Sequence, residues 1–340
     1  MGTPETVLVG VDEVRGLLDA GLRAAGLDAD EIPVTAAHLL DCELRGLHYG
    51  GLARLLSIAE RLAARPGARD PVTVVREGPS SASVDGGDRV GYVVGQVATD
   101  LAARKAAGSG LALVGANRTW YTGMLSYYAE QLTRRGLVVL IASNATPWVA
   151  PYGGTEPRYG TNPVCFGFPS ADGTDVIWDI GTSAVMHAEV VLARRTGGPL
   201  DEGVALDGTG APTVDPVAAL EDGALLGWGG PRGGGLGLVV QLLGMLAGSP
   251  AAPGELADFG MVVAAWRPDL LGDTEAFTGR VAEYAGWVRA TPGRDGAEVR
   301  MPFDRSRRVR EETLTRGTVA VRPDVLDAAR DLAGTIPTGG

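Results

Sequence analysis

Positive charge is scarce in this chain. The 30 lysines and arginines are outnumbered by 41 acidic residues, giving a formal net charge of −11, and Lys105 is the only lysine. A nucleic-acid or anionic-membrane partner needs a basic face that displaces counterions, so neither class of partner is expected. Cysteine is scarcer still. Cys42 and Cys165 make no CxxC pair and have no spacing for a metal knuckle, so they read as two buried thiols in a reducing cytoplasm, with no metal site. The longest apolar run, Leu236–Gly248, is broken by Gln241 and several glycines and is too short to cross a bilayer. Met1–Gly10 lacks the basic stretch and apolar core of a secretory leader, and a cytoplasmic location is expected. Also missing is a G-x-G-x-x-G that follows a strand and opens a helix, the usual dinucleotide fingerprint.

What is present fits a folded chain of about two domains, with 45% hydrophobic and 21% charged residues over 340 positions. Val11–Ala25 places Val14, Leu17, Leu18, Leu22 and Ala25 on one helical stripe. Glu31–Leu47 and Leu52–Ala64 repeat that period before Arg65-Pro66-Gly67 breaks it. Strands are predicted at Val72–Val75, Ser81–Val84, Gly110–Val114, Leu137–Ala142, Val164–Phe168, Asp175–Trp178 and Glu298–Met301. Further helices are predicted at Val93–Ala107, Leu125–Arg135, Ala184–Arg195, Leu236–Leu246, Asp273–Arg289 and Pro323–Leu332.

Four segments are richer in unusual residues than packing requires. Arg45-Gly46-Leu47-His48-Tyr49-Gly50-Gly51-Leu52-Ala53-Arg54 joins two predicted helices. Arg54 there is a bidentate carboxylate clamp, or the stretch is an interhelical turn with a solvated arginine. Ser143–Pro147, containing Asn144 and Thr146, and Gly160-Thr161-Asn162-Pro163 set Asn and Thr beside Pro and Gly. Such loops hold a ribose or a carboxylate, or are plain Asx and Ser/Thr turns. Asp179-Ile180-Gly181-Thr182-Ser183 runs from a strand end into the predicted helix Ala184–Arg195. Thr182 or Ser183 can cap that helix, whose unpaired N–H groups suit a phosphate. Asp179 is then an acid/base partner or a capping acid, and His187 a surface or packing residue. Last, Gly229-Gly230-Pro231-Arg232-Gly233-Gly234-Gly235 is either a close-approach loop for a phosphate, with Arg232 supplying charge, or a flexible connector.

Taken in order, these segments resemble the malate/L-lactate dehydrogenase family that is unrelated to the Rossmann-type enzymes. The likeness is collinear over almost the whole chain. It runs through Arg45–Leu55, Ser83-Val84-Asp85-Gly86, Tyr127-Tyr128-Ala129 and Val149-Ala150-Pro151-Tyr152-Gly153-Gly154, and on through Gly160–Pro163, Asp179–Ser183, Asp207-Gly208, Pro212–Pro216 and Gly229–Leu236. What the resemblance implies is an α/β (α+β) fold of non-Rossmann type. A largely antiparallel central sheet would form the cofactor domain, flanked by helical segments from both chain ends. The implied division is 1–75 with 290–340 as a helical substrate and dimer domain, 76–222 as the cofactor-binding sheet domain and 223–289 as a small helical domain. The implied reaction is hydride transfer between NADH or NADPH and a small-molecule carboxylate, in a homodimer that completes each site. By the same likeness Asn144, Thr146, Gly181, Thr182, Ser183, Arg232 and Gly233 face the cofactor. Arg54, Thr161, Asn162 and Trp148 face the substrate, and Asp179 lies near the proton-transfer machinery.

The departures from the family pattern matter as much. The Ser-His-Gly of the first turn, whose histidine serves as acid/base, reads Tyr49-Gly50-Gly51 here. By the resemblance a second family histidine falls near Tyr121, the lysine usual in the glycine-rich loop is Arg232, and the lysine usual early in the helix after Asp179–Ser183 is Glu189. Pro302-Phe303-Asp304 replaces a late Pro-Gly-Glu. Three substitutes for the lost proton donor are open: His48, two positions away; a phenol of Tyr49 or Tyr121; or a substrate that arrives protonated, as an iminium does. The first functional reading is an NAD(P)H-dependent reductase of a C=N or C=O bond next to a carboxylate, in specialised biosynthesis. The second is a family member that has lost redox catalysis and uses its pocket for cyclisation, elimination, isomerisation or binding, with Tyr49, Trp120, Tyr121 and Trp148 as pocket walls.

Overall fold

A computed structural model describes residues 5–334. The chain divides into two compact units, one made of residues up to Ala68, Val191–Gly197 and the segment from Arg305 on, the other of Arg69–Val190 and Gly198–Asp304.

The first unit is helical and uses both chain ends. Val7–Gly10 pairs antiparallel with Thr318–Val321, and the helix Val11–Ala24 packs against Pro323–Gly334 and against Ile32–Leu44. The apolar stripe read from the sequence turns inward, with Val14, Leu18 and Leu22 buried and Leu55, Ile58, Leu326 and Ala329 beside them in the buried set. Asp304–Arg316, almost wholly polar, forms an additional helix. The expected helix Glu31–Leu47 stops at Leu44, and Arg45 begins the turn toward the next helix.

The second unit is built on a seven-stranded sheet. In spatial order the strands are Thr73–Glu77, Ser81–Val90, Leu111–Trp120, Phe259–Trp266, Val138–Ser143, Val164–Phe168 and Val176–Ile180. Every neighbouring pair is antiparallel except Ser81–Val90 with Leu111–Trp120, which are joined by the crossover helix Gly91–Ser109. The expected largely antiparallel, non-Rossmann sheet is therefore what forms. Its central strand, Phe259–Trp266, lies inside the stretch expected to be a small helical domain. Conversely, Glu298–Met301, expected as a strand, is irregular, followed by Pro302 and absent from every described sheet.

The two faces of the sheet are covered differently. Along Val138–Ser143, Val139 and Ile141 enter a large core with Val94, Ala98, Leu125 and Tyr128 from the helices Gly91–Ser109 and Leu125–Thr133. Leu140 and Ala142 point the other way, to Val240 on the helix Pro231–Leu246. That alternation is the two-residue period of a strand with both faces buried. The helix Pro231–Leu246 rests almost on the backbone of the sheet. A Cβ on Gly260 would lie 2.2 Å from the Gly244 carbonyl oxygen, and a Cβ on Gly244 would lie 2.3 Å from Cγ of Asn144. Asn144 cannot yield, because its Oδ1 accepts the Gly260 N–H at 2.7 Å and its Nδ2 donates to Ser249 Oγ at 3.0 Å.

Gly244→Ala is expected to cost about 1–3 kcal/mol of stability, the range for overpacking a filled interior. Gly235→Ala on the same helix, where an added Cβ meets nothing within 4 Å, is expected to be neutral or stabilising by up to about 1 kcal/mol. Urea-unfolding midpoints measure both, and an unchanged midpoint for Gly244→Ala contradicts the close approach.

Candidate active site

The sequence-predicted site residues fall into two groups, His48, Tyr49 and Arg54 in the first unit and the rest in the second. In the first group the helix Ile32–Leu44 ends, a short 3-10 turn spans His48–Gly50, and the helix Leu52–Ala64 starts after Gly51. That second helix lacks a cap from its own N-cap residue. Glu43 on the preceding helix supplies it instead: Oε1 accepts the Leu52 N–H at 2.7 Å while Oε2 pairs with His48 Nδ1 at 3.2 Å. The Glu43 side chain is 2% exposed and that of His48 43%, so a buried carboxylate anchors a partly exposed imidazole. The hydrogen bond to Glu43 is the main reason the His48 pKa is raised above the usual 6.5, with burial opposing it and the Glu43 charge assisting.

Glycine is required at 51 and fits tightly at 50. A Cβ on Gly51 would lie 2.2 Å from Glu43 Cγ. A Cβ on Gly50, where the resemblance places the family histidine, would lie 3.0 Å from Cys42 Sγ. Cys42 is buried, its thiol pKa is pushed up chiefly by burial, and Asp41, Glu43, Arg45 and Arg54 act on it electrostatically. Asp41 in turn accepts from Arg45 and from Arg310, each at 2.6 Å. Tyr49 and Arg54 are half-buried, the latter in the first turn of its helix. Sequence reading missed Glu43. Its signal was an acidic residue in the last turn of a helix, five positions before a histidine.

In the second unit Asp179 lies opposite Cys165 across two paired strands and accepts from the N–H and Oγ of Ser126, at 2.7 and 2.8 Å, in the first turn of the helix Leu125–Thr133. Burial raises its pKa, against the Ser126 bonds that lower it. Tyr121 is 8% exposed, holds a positive φ of 53° and meets Trp120 edge-on. Trp148 stacks on His187 with ring centroids 3.6 Å apart, so His187 is a packing residue.

Several residues expected to face a ligand face the interior instead, where their polar groups bond within the chain. Asn162 donates to the Gly237 carbonyl at 2.8 Å and accepts the Ala145 N–H at 3.2 Å, and Asn144 bonds as described above. Thr146 Oγ1 bridges the Gly254 carbonyl and the Leu256 N–H. Thr182 sends both its N–H and its hydroxyl to the carbonyl of Thr161, itself buried. Neither Thr182 nor Ser183 caps the following helix, which starts only at His187; Ser183 donates to the Val185 carbonyl, and Met186 N–H donates to the Glu189 carboxylate at 2.9 Å. Gly181 sits against Met186, whose Sδ a Cβ would approach to 2.4 Å.

The glycine run also differs from expectation. The helix begins at Pro231, five residues before the expected Leu236, so Gly233 is buried within its first turn and the segment is no flexible connector. Proline suits a first helical position, where its missing N–H leaves no bond unmade. Gly229 and Gly230 precede it at φ 57° and 65°, no side chain caps the helix, and Arg232 is exposed at its start. Pro231 has no N–H and the Gly233 and Gly234 N–H groups donate to the carbonyls of Trp228 and Gly230, so what this start offers a pyrophosphate is the positive end of the helix and the exposed Arg232 guanidinium, which fit the nucleotide group that the family likeness implies.

The architecture is that of an oxidoreductase of the non-Rossmann class, and comparison with known proteins makes the class specific. A dehydrogenase from Sinorhizobium meliloti superposes with a TM-score of 0.86 at 31% identity, covering 97% of this chain and 99% of that one. The chain is 30% identical over 352 residues to a Delta(1)-pyrroline-2-carboxylate/Delta(1)-piperideine-2-carboxylate reductase of Pseudomonas putida, covering 98% of this chain and 100% of the relative. It is 33% identical over 236 residues to a ureidoglycolate dehydrogenase (NAD(+)) of Escherichia coli O157:H7, covering 69% and 67%. Residues 9–329 match the malate/L-lactate dehydrogenase family, to which the chain belongs.

The Glu43–His48 pair is open to direct measurement, because the chain has only 3 histidines. In an NMR titration His38, fully buried and pushed down to about 3, stays neutral through the physiological range. His48 is expected to titrate above 6.5, and Glu43→Gln to bring its midpoint down. A raised histidine pKa stabilises the fold below the unfolded value and loses that contribution as pH rises through the folded one. The Glu43→Gln stability deficit therefore shrinks at alkaline pH. An unmoved His48 midpoint in the variant refutes the pairing.

Proposed function

We propose that the chain is an NAD(P)H-dependent reductase that delivers hydride to a C=N or C=O bond next to a carboxylate, with His48 as proton source. The observation that carries this reading is the Glu43–His48 pair: a half-exposed imidazole, two positions from the Gly50 that the resemblance aligns with the family histidine, is held on a buried carboxylate. With Nδ1 on Glu43, Nε2 is the nitrogen left to give and take a proton at the substrate. Arg54, one turn into the helix that Glu43 caps, is assigned the substrate carboxylate through its guanidinium fork. The exposed Arg232 and the positive end of the helix Pro231–Leu246 are assigned the cofactor pyrophosphate, at a start where Gly233 lies close against the Thr182 carbonyl. The reduced nicotinamide supplies the hydride when bound. Tyr49 is assigned the wall beside His48, and Asp179, Tyr121 and Trp148 are assigned supporting roles within the second unit. The family name and the carboxylate-named reductase of Pseudomonas putida support a carboxylate substrate of keto or cyclic imino type.

A cytoplasmic homodimer belongs to the same proposal. The two cysteines are buried free thiols, as a reducing compartment favours. The helix Pro231–Leu246 buries its small-residue face and leaves Leu238, Val239, Leu242 and Leu246 exposed, the last at 73%. A helix apolar all round calls for a cover on both sides, and a second copy of this chain is the occupant proposed.

With NADH and NADPH offered alongside pyruvate and Delta(1)-piperideine-2-carboxylate, His48→Ala is expected to lower kcat by about 10²-fold or more. Arg54→Ala is expected to act mainly by raising KM. Reductive turnover should decline as pH rises through the raised His48 pKa, and Glu43→Gln should shift that limb to lower pH. Cofactor binding with no turnover of any keto or imino acid would overturn the redox reading in favour of a non-redox reaction. Sedimentation tests the assembly: Leu242→Glu is expected to yield monomers, and a monomeric wild-type chain contradicts the dimer.

A further inference from the structure

Away from these residues, in the second unit, three arginines line one cleft. The cleft has a volume of about 420 Å³ and is lined by Ala103, Arg104, Ala107, Arg135, Leu137 and Arg267, with no carboxylate among them. It sits at the far end of the central sheet from Asp179 and Ser143. Val138 pairs with Trp266 at one end of its strand, whereas Ser143 pairs with Met261 at the other, and Val164 links Ala142 to Ile180 at that second end. The strand length places the two ends about 16 Å apart.

In a chain of net charge −11, Arg104, Arg135 and Arg267 concentrate positive charge around one cavity. Intramolecular acids satisfy them only in part. Arg267 is held by Asp269 at 3.0 Å and donates to the Ala107 carbonyl at 3.2 Å. Among the described residues Arg135 pairs with Asp100 alone, at 3.8 Å and too far for a hydrogen bond. Arg104 makes no hydrogen bond or ion pair among the described residues, and Glu77, which acts on it at longer range, is held by Lys105 at 2.8 Å. Arg104 and Arg135 are exposed, and the buried Ala103 and Leu137 give the cleft an apolar floor.

We propose that this cleft is an anion site separate from the cofactor-binding helix start, taking a small phosphate-bearing metabolite on the forks of Arg104, Arg135 and Arg267. The fixed Arg267 pre-positions one fork, and the two less constrained arginines close on the ligand. Its size is that of a small-molecule pocket, and the guanidinium is the side chain best matched to phosphate oxygens.

Calorimetric titration of the full chain with inorganic pyrophosphate tests this, using wild type, Arg232→Ala and the double variant Arg104→Ala/Arg135→Ala. The exposed positions leave the fold intact, which a thermal melt verifies. Pyrophosphate binding is expected to persist in Arg232→Ala and to weaken by about tenfold or more at this site in the double variant. It should also fall steeply with added salt. Wild-type titration without binding at millimolar pyrophosphate overturns the proposal, as does a double variant that binds like wild type. The cofactor assignment is judged separately, by the effect of Arg232→Ala on NADH and NADPH binding.

Discussion

One buried carboxylate organises the interhelical turn of the first unit. Glu43 holds the first free amide of one helix with one oxygen and an imidazole nitrogen with the other. Neither partner is independent: the turn must bring Leu52 and His48 to the same side group, and only a glycine at 51 leaves space for it. A side chain nearly cut off from water is costly to leave unpaired, so the pairing fixes the turn as well as the ring. Position 48 thereby acquires what an acid/base histidine needs, a fixed orientation and a charge-stabilising neighbour.

The second unit solves a different problem. Its sheet is covered on one face by the helices Gly91–Ser109 and Leu125–Thr133, whose side chains enter an apolar core, and on the other by a helix whose inward face is mostly glycine. Contact there is between backbones, and Asn144 and Asn162 tie the loops beneath by hydrogen bonds rather than by apolar bulk. This explains why amides and hydroxyls that look like ligand donors in the sequence are structural. A polar group under a helix at such close range needs a partner, and the chain itself provides it.

Much of the fold was legible because periodicity is local. The helix Leu52–Ala64 and the strand Val164–Phe168 fall where their patterns place them. The central strand Phe259–Trp266 escaped because it is buried on both faces and its run of Met261-Val262-Val263-Ala264-Ala265 has no alternation to read. The helix start at Pro231 escaped because consecutive glycines mimic a loop, and their reason for being helical lies in what they touch, not in propensity. The site was legible only as motifs. Arg54, His48 and Arg232 could be picked by type and position, but Glu43 acquires meaning only when the turn brings it back to His48.

The closeness of Gly50 to Cys42 couples two positions. An added Cβ at 50 would lie 3.0 Å from the sulfur and 3.1 Å from the Cβ of Cys42, so a larger residue there is accommodated only when the cysteine gives by a few tenths of an ångström. Any redesign of the turn at 50 therefore has to be drawn up together with the residue at 42.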